Sequence, residues 1–246
     1  MIVDDTFFDR VAHDLRGELS TMLVGLHYMQ RFGTDVGTSS REMLERVNEA
    51  GDRMTRLLEE MDDAVWLLDK PKALVIEKFR LQLLLDDLIR RVSHLGARRG
   101  VHLCVEAQKD GAREFIGDPE VLARALLYLV DFAMLRAPGA EVRLTAEFVA
   151  DHPVVCVEDH GARIPEQILA RLFEPFVENE LLPLLPAGRR KVRLGLGLAI
   201  ARAMVAAHGG TLSIAPQGDD FTLGMVFRCV LTSGSSTCGT STDVFG

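Results

Sequence analysis

Two successive runs of apolar side chains, spaced by threes and fours, occupy the first seventy residues and restrict the fold more than any other feature. Phe8, Val11, Leu15, Leu19, Met22, Leu26 and Met29 mark the first run, and Leu44, Val47, Met54, Leu57, Met61, Val65 and Leu68 the second. Such spacing returns to one side of a 3.6-residue helix. Residues 33–40 between the runs are rich in Gly, Thr and Ser and read as a loop, with Ser39 or Ser40 as the N-cap. The pattern predicts an antiparallel hairpin of two one-faced helices. A lone hairpin leaves part of each apolar face in water, whereas two hairpins packed as a four-helix bundle cover it. The expected assembly is a homodimer.

The segment Lys70-Pro71-Lys72 closes the hairpin and marks a domain boundary. Beyond it, strand and helix patterns alternate. Strands are expected near 74–76, 101–107, 141–148, 154–158, 211–215 and 222–229, with helices over 81–95, 119–135 and 199–208. Several neighbouring strands are joined by short turns, which favours an α/β sandwich over a doubly wound parallel sheet. The predicted class is α+β: a hairpin domain over residues 1–70, a sandwich domain over 71–231, and a Ser-, Thr- and Gly-rich tail over 232–246 that is expected to be disordered.

Charge and cysteine content narrow the function classes. The net charge of −8 disfavours a nucleic-acid surface, which needs clustered Lys and Arg. Most of that charge lies in the hairpin, and it suits a protein partner with a basic or mixed face. The four cysteines are scattered without a CxxC pair, so neither a metal nor a disulfide framework is expected. No apolar run approaches the ~20 residues that span a bilayer, and the acidic start lacks a signal-peptide plan. A cytoplasmic protein without membrane insertion is the expectation.

His13 sits two residues from both Val11 and Leu15, roughly 200° from each around a helix, and so opposite the apolar stripe. An exposed histidine beside a carboxylate, here Asp14, can present a neutral ring nitrogen as a nucleophile. The run Ala12-His13-Asp14-Leu15-Arg16, followed by Leu19-Ser20, resembles the H-box of two-component histidine kinases. The later motifs fit the same family in order. Glu158-Asp159-His160-Gly161 resembles the first glycine box of its Bergerat-fold ATPase domain. Leu172-Phe173-Glu174-Pro175-Phe176 resembles its F-box. Gly195-Leu196-Gly197-Leu198, leading into a helix and then His208-Gly209-Gly210, resembles its second glycine box.

The resemblance implies phosphate carried on His13 with Asp14 assisting, ATP as cofactor and a response-regulator receiver domain as partner. It assigns Asp159 to the adenine amino group, Gly161 to close approach of the base, and Gly195 and Gly197 to phosphate-facing amides. The sequence also departs from the family. Aligning residues 126–138 on the N-box puts Tyr128 and Phe132 at its asparagine positions, and Leu135 where a lysine is common. A phenyl ring offers no oxygen to Mg²⁺. Arg193 replaces a glycine of the second box, although Arg189, Arg190 and Lys191 could supply positive charge nearby. Gly17 stands where a Thr or Asn normally orients water, and Glu18 replaces a helix-bending proline. Impaired use of Mg-ATP is therefore expected. Three readings follow: a soluble histidine kinase, an ATP-independent histidine phosphotransferase, and a non-catalytic dimeric scaffold.

Overall fold

The computed structural model of the protein describes residues 5–32, 38–68, 73–107, 113–137, 139, 141–149, 152–185, 194–216 and 223–231. The two predicted amphipathic segments are helices α1 (Asp5–Phe32) and α2 (Thr38–Asp63), packed as an antiparallel pair. Helix α2 starts earlier than the loop composition suggested. Ser39 and Ser40 therefore lie inside its first turn rather than capping it. It also ends earlier, because Ala64–Leu67 tighten into a 3-10 turn that buries Trp66. Among the described residues no helix is long and apolar enough to cross a membrane.

Pairing the helices covers only part of the apolar stripes. Val11 and Leu57 are buried, while Leu19, Leu23, Leu26, Leu44 and Leu58 remain exposed. Gly25 lets α2 approach closely, since a Cβ there would lie 2.3 Å from the Val47 side chain.

The second domain opens with strand β1 (Glu77–Arg80), then α3 (Leu81–Arg99), β2 (His102–Ala107) and β3 (Glu114–Gly117). The strand expected at 74–76 is thus displaced to Glu77–Arg80. There it pairs antiparallel with β3, a strand the sequence pattern did not reveal. Then come α4 (Pro119–Arg136), β4 (Glu141–Val149), β5 (His152–Ala162), a single-turn α5 (Glu166–Leu169) and a 3-10 segment (Val177–Leu184). Helix α6 (Gly197–Ala207), β6 (Thr211–Pro216) and β7 (Leu223–Val230) close the domain.

The main sheet runs β2-β4-β5-β7-β6 and is antiparallel except for the parallel β2–β4 pair. Along β4, Val142, Leu144 and Ala146 are buried while Arg143, Thr145 and Glu147 are half-exposed, as a period of two requires for one covered face. Helices α3, α4 and α6 pack against one another over the sheet, so the domain is a two-layer sandwich.

Helix α4 is the central strut. Asp118 caps its start by accepting the Val121 N–H at 3.1 Å, and Pro119 supplies a preset φ at the first position. Asp118 also accepts the Val75 N–H at 2.8 Å and donates its own N–H to His208 Nε2 at 3.0 Å. The other ring nitrogen of His208 lies 2.8 Å from the Met204 carbonyl, which fixes the Nδ1–H tautomer and ties the end of α6 to the start of α4.

At its other end α4 buries a cation. Arg136 is 5% exposed and its Nη1 lies 3.3 Å from Oδ2 of Asp159, which is fully buried in β5. Its Nη2 donates to the Ala162 carbonyl. Burial pushes the Asp159 carboxyl up and the Arg136 guanidinium down, and each partly offsets the other.

Removing one member of a buried charge pair strands the other, at about 3–5 kcal/mol. Arg136→Met and Asp159→Leu are each expected to lose stability on that scale, while the double variant loses much less than their sum. Denaturant midpoints measure the cycle, and strict additivity would mean that the two charges are not coupled.

Candidate functional site

His13 and Asp14 lie within the continuous helix α1, near its start. Their side chains fall outside the described residues. The helix passes without a break through Glu18, which pairs with Arg53 of α2 at 2.7 Å. One turn after His13, Gly17 is exposed, and a Cβ added to it would meet nothing within 4 Å. Its carbonyl accepts the Thr21 hydroxyl at 3.0 Å. Space is therefore open beside the histidine's turn of helix.

The nucleotide motifs converge between α4, the end of β5 and the start of α6. Phe176, last residue of the F-box, takes a left-handed backbone (φ 71°) and donates its N–H to the Gly195 carbonyl at 2.7 Å. A non-glycine residue there is strained unless its surroundings enforce it. Asn179 follows with a side-chain bond to the Leu194 carbonyl at 3.0 Å. Gly195 itself has φ 79°, and Asn179 stands where its Cβ would be. At Gly197 a Cβ would lie 2.9 Å from the Tyr128 ring. The F-box and second glycine box thus form one clamped unit against α4.

The groups assigned to nucleotide already have partners within the chain. Asp159 accepts the Gly161 N–H at 2.8 Å on one oxygen and faces Arg136 with the other. Gly161 packs on α4 instead of leaving room for a base, since a Cβ would lie 2.7 Å from the Arg136 carbonyl. At the second glycine box, the Leu196 N–H donates to Glu60 Oε1 of α2 at 2.7 Å, and the Leu198 N–H donates to Glu178. These are the amides at the start of α6 that would otherwise suit phosphate.

Phe132, which the N-box resemblance aligns with a metal-ligating asparagine, is 2% exposed and packs edge-on to Phe227 with centroids 5.6 Å apart. In this arrangement the two glycine-box amides are not free for the phosphates of a nucleotide. Asp159 keeps one buried oxygen, Oδ2, without a hydrogen bond beside its ion pair with Arg136, and the Phe132 ring offers no oxygen donor. The basic run at 189–193, including Arg193, lies outside the described residues.

Three residues central to this arrangement escaped the sequence reading: Arg136, Glu60 and Glu178. Arg136 lies within the stretch aligned on the N-box, one residue past the expected helix end at 135, and its residue type alone gives no sign of a buried pairing with Asp159. The acidic residues carried no local signal, because each bonds to a partner distant in the chain. Glu60 and Leu196, for example, lie 136 positions apart.

Comparison with known proteins agrees with the fold. Residues 117–233 match the family model described as histidine kinase-, DNA gyrase B-, and HSP90-like ATPase. The sensor protein DivL of Caulobacter vibrioides is 28% identical over 92% of this chain and 27% of its own length. The sensor histidine kinase CusS of Escherichia coli strain K12 is 27% identical over 86% of this chain and 44% of its own. The chain thus spans less than half the length of these relatives. Among solved structures, the Acinetobacter baumannii histidine kinase AdeS superposes with a TM-score of 0.63 at 16% identity, covering 91% of this chain and 98% of that one. The mycobacterial sensor histidine kinase MprB superposes at 0.51 with 26% identity, over 64% of this chain and 97% of its own. Residues 117–233 are therefore similar to the histidine kinase-, DNA gyrase B- and HSP90-like ATPase family, and the chain resembles histidine kinases in sequence and fold.

Proposed function

We propose that this protein is a two-component signalling protein that carries phosphate on His13 and exchanges it with the aspartate of a response-regulator receiver domain. The observation that carries this reading is the H-box run around His13, standing near the start of a helical hairpin joined to a histidine kinase-type ATPase domain. A solved relative in fold, the histidine kinase ThkA, is recorded in complex with a response regulator, TrrA; it superposes with a TM-score of 0.61 at 19% identity, covering 93% of this chain and 62% of that one. That pairing supports a receiver as the partner here.

The chemistry needs little from the protein beyond placement. A neutral ring nitrogen of His13 attacks the phosphorus of the receiver's aspartyl phosphate. The P–N bond forms as the P–O bond breaks, and the aspartate leaves as carboxylate. Asp14 takes the proton of the other ring nitrogen, which restores a neutral ring. The open space at Gly17 leaves room for the incoming receiver. The exposed Leu19, Leu23, Leu26, Leu44 and Leu58 form the face through which two hairpins pair as a homodimer.

The filled cleft favours a receiver, rather than ATP, as the phosphate source. Asp159 is bound to Arg136, the glycine-box amides are bound to Glu60 and Glu178, and Phe132 stands at the metal position. ATP binding is a property of the family, and this chain retains the fold for it with different contents.

Incubation with a phosphorylated receiver is expected to give acid-labile label that is lost in His13→Ala, while labelled ATP with Mg²⁺ gives none. Label from ATP would make the protein a kinase, and label from neither source would leave a scaffold. The double variant Phe132→Asn with Leu135→Lys is expected to bind Mg-ATP no better than the parent by calorimetry, because Arg136 and the two glutamates still fill the cleft. A gain in that variant would place the whole defect at the metal ligand.

A further inference from the structure

Two carboxylates near the end of α2, Glu60 and Asp63, reach across from the hairpin into the second domain. Both are buried, at 8% and 4% exposure. Glu60 accepts the Leu196 N–H at 2.7 Å. Asp63 Oδ2 accepts from Arg124 Nε at 2.9 Å and from the Tyr128 hydroxyl at 2.9 Å, with Arg124 Nη2 at 2.7 Å. Burial, followed by the nearby Asp63 and Glu60 charges, pushes the Tyr128 phenol far up, so it remains a donor. Charge-assisted bonds of this kind are the strong ones, and buried carboxylates require them.

The contacts join the hairpin to the domain that follows it. Beside them, the 3-10 turn Ala64–Leu67 packs on α6, and Trp66, the chain's single tryptophan, is buried there. Their position along the hairpin follows from the Glu18–Arg53 pair, which fixes the antiparallel register. Seven residues on from Arg53 is Glu60, and seven back from Glu18 is Val11, itself buried in the shared core. His13 is two residues from Val11, about 3 Å along the axis. The polar contacts therefore lie at the end of the hairpin that carries the histidine.

We propose that Glu60 and Asp63 form a latch that holds the ATPase-like domain docked at the His13 end of the hairpin, and that without it the domain undocks while both parts stay folded. The latch uses an amide of the glycine box as its receptor, so the segment that would suit a phosphate instead serves as a docking point within the chain. The proposal stands apart from phosphate transfer, because its test is read on unphosphorylated full-length protein.

The test compares Glu60→Gln/Asp63→Asn with the neighbouring pair Glu59→Gln/Asp62→Asn, whose residues are exposed. In the latch variant, acrylamide quenching of Trp66 is expected to rise about twofold and Leu196 amide exchange to speed up about tenfold, while β5 and β7 amides keep their protection. The control pair should match the parent. Arg124→Gln, which removes a partner of Asp63 from the other side, should move Trp66 quenching in the same direction. The proposal is overturned if the latch variant matches the control in quenching and exchange. It is equally overturned if β5 loses protection together with Leu196, because the domain would then be unfolding rather than undocking.

Discussion

The guanidinium of Arg136 against the buried carboxylate of Asp159 fixes where α4 meets the sheet. A cation and an anion this far from water hold together only if each stays near the other. The contact sets the end of α4 over β5, and Gly161 permits the close approach by lacking a Cβ. From that anchor α4 runs back past Phe132, Tyr128 and Arg124 to the Asp118 cap. Along the way it meets β7 through Phe227, the second glycine box at Gly197, and the hairpin at Asp63.

The cleft between α4 and α6 has thereby become a junction. In a nucleotide site, an unpaired carboxylate and free amides wait for a ligand that supplies their complement. Here the complement is built in. Arg136 faces the carboxylate, Glu60 and Glu178 take the amides, and Tyr128 and Phe132 fill space with aromatic rings. Buried polar groups need partners; the Leu196 and Leu198 amides find them within the chain, while Asp159 Oδ2 and Arg136 Nη1 face each other at 3.3 Å without a hydrogen bond. One consequence is structural: the domain gains a fixed seat on the hairpin through its glycine box.

Much of the architecture was legible in residue order. The three-and-four spacing gave the hairpin, and the succession of strand and helix patterns placed β4, β5 and α4 close to where they lie. The motif order also pointed to the family that the comparisons support. Errors came where tertiary pairing overrules local pattern. Strand β1 lies at Glu77–Arg80 because β3 offers its edge there, and β3 is only four residues long. Neither fact has a local signature.

The sequence alone determined the helical hairpin, the placement of His13 on its first helix and the order of the motifs, because these depend on residue type and spacing along the chain. Only the tertiary structure decided what occupies the cleft. Whether a conserved-looking aspartate faces a base or an arginine, and whether an amide meets phosphate or glutamate, depends on groups brought together from distant positions. Glu60 meets Leu196, and Asp63 meets Tyr128, through packing of whole elements. Local periodicity carries no record of such meetings, since each partner looks like an ordinary surface charge until the fold buries it.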